Sequence, residues 1–265
     1  MGKLIKANFF RVLKSKLLII SLIIAVALPI FTVLMFKGLE VTMGDALEGV
    51  GAAIGAGGAR NLLGTSYNLS NNLGLIIPIF AGVFVVTDFT SGCLRNKIIA
   101  GQKRGAIYLS HLIVASIYAV VLVTIYALIT LGFGSLILGY AETIKINGGE
   151  IWYLVKLFIS GTLTFIFVAS LSTLIAMSTR SLPLTIILSL TAAIIIGVIT
   201  QILALTIQGG DPNNIEKFAG LIPSYSATKI DTSDTVFIEG LISCTLFTTL
   251  NTVLGIILFK NKDVK

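Results

Sequence analysis

The sequence predicts an all-α integral membrane protein: six transmembrane helices preceded by an amphipathic interfacial helix, with the N- and C-termini cytoplasmic. Three observations predict it. Of 265 residues, 55% are hydrophobic and only 12% charged, where soluble domains carry roughly 25% charged residues. The mean hydropathy is +0.99. The apolar residues also fall into runs of about 20, which at 1.5 Å rise per residue is what a helix needs to cross a hydrocarbon core of ~30 Å.

Six such runs occur, at 17–36, 73–87, 112–139, 151–177, 183–207 and 236–259. The second is short and contains Pro78, so it begins in the preceding polar segment or kinks. The third and fourth are long enough to tilt or to project from the bilayer. The first is too long for the apolar region of a signal peptide and is read as a span. No stretch is polar enough for a separate soluble domain, so residues 1–265 are expected to form a single membrane domain.

Orientation follows from the positive charges. With the N-terminus inside, the inner segments hold Lys3, Lys6, Arg11, Lys14, Lys16, Arg95, Lys97, Lys103, Arg104, Arg180, Lys260, Lys262 and Lys265, most of the 19 basic residues. Of the acidic residues only Asp88 and Asp263 fall inside; Glu40, Asp45, Glu48, Glu142, Glu150, Asp211, Glu216, Asp231, Asp234 and Glu239 fall outside or near that face. The net charge of +7 is therefore a matter of topology. It provides no clustered basic face for nucleic acid.

Ahead of the first span, residues 1–16 place Ile5, Phe9, Val12 and Leu13 at helical spacing, with Lys3, Lys6, Arg11 and Lys14 turned away. Such a helix lies along the inner membrane surface, its cations among anionic head groups. Two outer segments are long: 37–72, glycine-rich from Gly49 to Gly58, and 208–235, with Pro212 and Pro223. Cys93 and Cys244 stand in a loop and a span and read as plain thiols.

The sizeable inner loop is 88–111. Asp88, Thr90 or Ser91 is suited to cap a helix, Leu94 and Ile98 form an i, i+4 apolar pair, and Gly101 is a natural stop. This predicts a short amphipathic helix under the membrane, with Arg95 and Lys97 facing the cytoplasm and able to pair with an acidic partner surface. The competing reading is a solvated loop whose charges only fix orientation.

The basic amphipathic helix, span, outer loop and span, followed by Asp88-x-x-x-Gly92-x-x-Arg95-Asn96, Gly101-x-x-Arg104 and Tyr108-Leu109-Ser110-His111, resemble permease subunits of type-2 ABC exporters. The likeness is strongest to Gram-positive permeases of bacitracin, lantibiotic and cytolytic-peptide export or immunity. It covers the whole chain in topology and residues 88–111 in motif. The resemblance implies that this loop is a coupling helix seated in a separate ABC ATPase subunit, with the contact on Asp88, Gly92, Arg95, Gly101 and Arg104. It implies a second permease subunit, a multi-pass position in a bacterial plasma membrane, and an amphipathic or hydrophobic substrate. It also implies short re-entrant helices in the 208–235 segment. The chain has no Gly-x-x-x-x-Gly-Lys-Ser/Thr loop, so this chain is expected to bind no cofactor and to perform no catalysis, with ATP and Mg held by the partner.

Other functions are weighed on single residues. An intramembrane protease needs His and acidic residues at ligand spacing, and His111 is the chain's one histidine. An ion-coupled secondary transporter needs charge deep in the spans, where only Lys156 and Glu239 come near, each within snorkelling reach of an end. A passive membrane anchor or immunity factor would bind a toxin through the outer loops. Gln201 and Asn251, with Thr248, Thr249 and Thr252, suit helix-to-helix hydrogen bonds, and Ala169, Ser172, Thr173 and Ala176 suit close helix packing.

Overall fold

A computed structural model of the chain describes residues 1–43, 58–140, 148–209, 220, 222–228 and 234–261. Their regular elements are helices throughout: α1 (Gly2–Leu13), α2 (Lys16–Met43), α3 (Ala59–Ser66), α4 (Asn72–Thr90), α5 (Cys93–Ile99), α6 (Arg104–Ile137), α7 (Gly148–Thr179), α8 (Leu182–Gly209), α9 (Tyr225–Thr228) and α10 (Asp234–Asn261). Of these, α2, α4, α6, α7, α8 and α10 are long and apolar enough to cross a membrane, and they correspond one to one with the six runs. The fold fits a multi-pass membrane protein. Helices are the outcome because an apolar run in hydrocarbon must satisfy each N–H and C=O within itself.

Several helices outrun their apolar cores. Polar residues continue them where the side chains return hydrogen bonds to the preceding turn. Thr87 Oγ1 donates to the Val83 carbonyl at 2.5 Å and Ser91 Oγ to the Thr87 carbonyl at 2.7 Å, carrying α4 to Thr90. Ser110 Oγ donates to the Ile107 carbonyl at 2.7 Å, so α6 begins at Arg104 instead of near 112. The 88–111 loop is thereby reduced to α5 and two short links. Asn72 starts α4 within the expected outer loop.

The helices form two layers of burial. α4, α6 and α7 bury half or more of their apolar windows, whereas α2, α8 and α10 bury under a quarter. The first three therefore make the centre, and the others present apolar flanks such as Ile19, Ile23, Ile187, Ile195, Leu250 and Leu254 outward. Packing at the centre is close. A Cβ on Gly161 would meet the Tyr67 ring at 2.6 Å, and one on Gly255 would run into the Tyr108 hydroxyl and ring. Ala169, Ser172, Thr173 and Ala176 of α7 are buried, and Asn251 Nδ2 of α10 donates to Ser170 Oγ at 3.1 Å.

The outer segments are only partly loops. α2 runs on to Met43, and residues 58–71 turn back into the bundle: Ala59 and Arg60 N–H donate to the Gly139 and Tyr140 carbonyls at 3.0 and 3.1 Å, and Leu62, Leu63, Tyr67 and Leu69 are buried. The helix α9 packs on α10, α7 and α3, with Tyr225 buried and the Pro223 carbonyl accepting from Thr164 Oγ1 at 3.0 Å. Asp45, Glu48, Gly49, Glu142, Asp211, Pro212, Glu216, Asp231, Lys262, Asp263 and Lys265 lie outside the described residues.

Candidate functional site

The site forms at the end of the bundle where α4 finishes. Asp88 lies two residues before the end of α4, and its side chain is 0% exposed. A lone carboxylate in such surroundings is costly unless it is paired and hydrogen-bonded. Three bases meet it: Arg11 from α1, Lys97 Nζ from α5 at 2.5 Å and His111 Nε2 from α6 at 2.6 Å. Asp88 thus ties four separate helices through one side chain.

Each partner is held in turn by local structure. His111 Nδ1 lies 2.8 Å from the Ile107 carbonyl one turn back, which orients the ring so that Nε2 faces Asp88. Arg11 Nη2 donates to the Phe84 carbonyl at 3.2 Å, and its guanidinium lies 4.8 Å above the Phe84 ring. Lys97 Nζ also donates to Asn8 Oδ1 at 2.8 Å, while Asn8 Nδ2 donates to Ser110 Oγ at 2.9 Å. Burial, and after it the neighbouring Arg11 charge, pushes the Lys97 ammonium down to about 8 against a partial opposing pull from Cys93. Burial likewise lowers Arg11.

Four expectations change here. Lys97 does not face outward; it turns under α5 to Asp88 and Asn8, because the backbone carries it to the same side as buried Leu94, three residues before. Arg11 is not a head-group cation, since its side chain crosses from α1 to Asp88. Val12, placed by its spacing on the lipid side, is buried against the bundle with Leu4 and Asn8, while Phe9, Phe10 and Leu13 remain exposed. The helix cap also differs: Gly92, at φ 71, takes the N-cap of α5, with no side chain capping it. Only glycine adopts that conformation freely. Gly101, at φ 78, stops the helix as its type predicts.

The opposite face of α5 is open. Arg95, Asn96, Ala100, Gly101, Gln102 and Lys103 are exposed, and Ile99 is 73% exposed. Gly92 is half-buried beside them, and a side chain there would have open space but a strained backbone. Arg104 leaves this edge: its Nη1 donates to the Lys260 carbonyl at 2.8 Å, at the C-terminal end of α10, where a helix dipole favours a cation. Of the five residues predicted to touch a partner, the structure therefore brings Gly92, Arg95 and Gly101 to one exposed edge. It places Asp88 inside, and Arg104 against α10.

Arg11, Lys97 and His111 as partners of Asp88 were not recognised from the sequence. The available signal was that Asp88 is the only acidic residue between Glu48 and Glu142, and a single acid beside apolar runs must find its bases elsewhere. A second buried pair was also missed. Arg60 Nε of α3 donates to Glu150 Oε1 of α7 at 2.6 Å, Tyr140 Oη donates to the same oxygen at 2.6 Å, and the guanidinium lies 3.9 Å above the Tyr153 ring. No protein-family model matches the chain, and no curated protein matches it either.

Proposed function

We propose that this chain is the transmembrane permease subunit of a type-2 ABC exporter in a bacterial plasma membrane, working with a second permease subunit and a separate ABC ATPase that holds ATP and Mg. The observation that carries this reading is the build of α5. One side of this seven-residue helix is fixed to the bundle by Leu94 and by Lys97 on Asp88, while the other side offers Arg95, Asn96 and Ile99 to solvent. A short helix joined to two spans, α4 and α6, and to α1, with a free cationic and apolar edge, is suited to receive a push and pass it on. The exposed edge suits an acidic cleft on an ATPase.

In this reading α1 lies along the inner surface with Phe9, Phe10 and Leu13 in the acyl boundary, and both termini are cytoplasmic. Contact with the ATPase falls on Gly92, Arg95 and Gly101, joined by Ile99. Asp88 acts from within as the positioning residue that transmits movement of α5 to α1, α4 and α6. Arg104 links the same edge to α10. Rocking of the helices then moves an amphipathic or hydrophobic substrate outward by alternating access.

The test is to co-express the chain with an ATPase subunit encoded beside it and to compare Arg95→Glu with wild type. Loss of the ATPase from the purified complex, or loss of substrate-stimulated ATP hydrolysis with an unchanged melting temperature, is the expected result. Labelling of Arg95→Cys by an impermeant maleimide supplied outside intact cells, or unaltered coupling in Arg95→Glu, overturns the reading.

A further inference from the structure

At the end of the bundle opposite α5, a cavity of about 330 Å³ is lined by Thr32 and Phe36 of α2, Thr65 and Ser66 of α3, Asn71 and Asn72, Tyr126 of α6 and Gln201 of α8. Seven of the eight are neutral hydrogen-bonding residues, and none is Asp, Glu, Lys, Arg or His. That composition is unusual for a space between helices of this apolarity. Polar groups facing hydrocarbon without partners cost several kcal/mol each, so a cluster of them requires either water or a polar ligand.

Their bonding shows what is spare. Asn72 Nδ2 is shared between Thr32 Oγ1 at 3.2 Å and Tyr126 Oη at 3.0 Å, and Asn71 Nδ2 donates to the Thr65 carbonyl at 2.5 Å. The Thr32, Thr65 and Ser66 hydroxyls give their protons to carbonyls of their own helices. Left over are the Tyr126 hydroxyl proton, the carboxamide oxygens of Asn71 and Asn72, and both ends of the Gln201 amide, which has no hydrogen-bond partner among the described residues and is exposed. The cavity thus offers donors and acceptors together, with no net charge, beside the Phe36 ring. α2 and α8, which supply two of its walls, each pack on α4.

We propose that this cavity binds the uncharged, hydroxyl-bearing head group of an amphiphile drawn from the membrane leaflet opposite α1 and α5. A hydroxyl both gives and takes a hydrogen bond and so satisfies the mixed set that Gln201, Asn71, Asn72 and Tyr126 leave open. A phosphate or ammonium head would enter without a counter-charge, which at this depth is unfavourable. The volume holds about ten waters at ~30 Å³ each, and a monosaccharide-sized group replaces them while its alkyl tail stays in lipid. Binding of this kind does not depend on whether the chain is an exporter.

The full chain in phosphatidylcholine nanodiscs would be photolabelled with an alkyl glucoside that carries a diazirine in its chain next to the sugar. The expected adducts fall on α2 or α8 within a turn of Thr32, Phe36 or Gln201. n-Octyl-β-glucoside should suppress them at least ten times more effectively than octyl phosphate or octyltrimethylammonium. Gln201→Leu, at an exposed position with no hydrogen-bond partner among the described residues, should leave the melting temperature unchanged and raise the glucoside concentration needed for half-suppression about tenfold, and Gln201→Asn should restore part of it. Equal suppression by all three head groups, labelling away from the cavity, or no effect of Gln201→Leu overturns the proposal. Stronger suppression by N-octanoyl-glycinamide than by the glucoside also overturns it, in favour of a peptide amide.

Discussion

Lys97 on α5 reaches the buried carboxylate of Asp88 on α4, Nζ to Oδ2 at 2.5 Å, and shares that oxygen with His111 of α6. The carboxylate also takes Arg11 of α1, so the position of a surface helix is set by a group with no exposure.

Removing the shared carboxylate should be more damaging than removing any one base. Asp88→Asn leaves Arg11 and Lys97 without a counter-charge in partly buried positions, which costs about 3–5 kcal/mol when a buried pair is broken from one side. Lys97→Met leaves Arg11 and His111 on Asp88 and should cost less, about 1–3 kcal/mol. Thermal unfolding in a mild detergent, followed by intrinsic fluorescence, gives the order. Equal melting temperatures for Asp88→Asn and wild type would refute the hub.

The pH dependence has a definite sign. Lys97 sits at about 8 in the folded chain against 10.5 ordinarily, because burial and Arg11 disfavour its charge. Between those values the unfolded chain binds the additional proton, so the contribution of Lys97 to stability increases as pH rises from 8 to 10.5 and is lost as pH falls through 8. Lys97→Met should flatten that rise relative to wild type. A wild-type curve that falls across the window in proportion to Lys97, with Lys97→Met removing the fall, would reverse the assignment.

Glycine positions should divide sharply. Gly161→Ala puts a methyl 2.6 Å from the Tyr67 ring and Gly255→Ala puts one against the Tyr108 hydroxyl and ring, so each should destabilise by about 1–3 kcal/mol through overpacking. Gly132 in α6 has open space around the same position, and Gly132→Ala should be neutral or stabilising by up to about 1 kcal/mol from helix propensity. Melting temperatures of the three variants decide the matter.

At the far end, Arg60 and Glu150 form a pair whose side chains are each 8% exposed. Glu150→Gln keeps the shape but takes the carboxylate charge out of a buried ion pair beside Tyr140 and Tyr153, and about 3 kcal/mol is the expected loss. Limited proteolysis should then cut the chain earlier near α3 than in wild type. Undiminished protection would show that the pair does not hold α3 in place.

What the sequence determined by itself is whatever depends on one helix at a time. The six runs, their order and the stop at Gly101 follow from local hydropathy and backbone freedom, and the structure has a helix at each run. The packing face of α7 was legible for the same reason: Ala169, Ser172, Thr173 and Ala176 repeat at helical spacing and all are buried. The tertiary structure alone decided which polar residues face one another. Asp88 meets Arg11 and His111 across 77 and 23 positions of chain, and Arg60 meets Glu150 across 90, distances that no periodicity reports. Hydrophobic burial is non-directional and sets where a helix lies, whereas a buried charge needs a partner at hydrogen-bond distance, and only the packed bundle says which side chain that is.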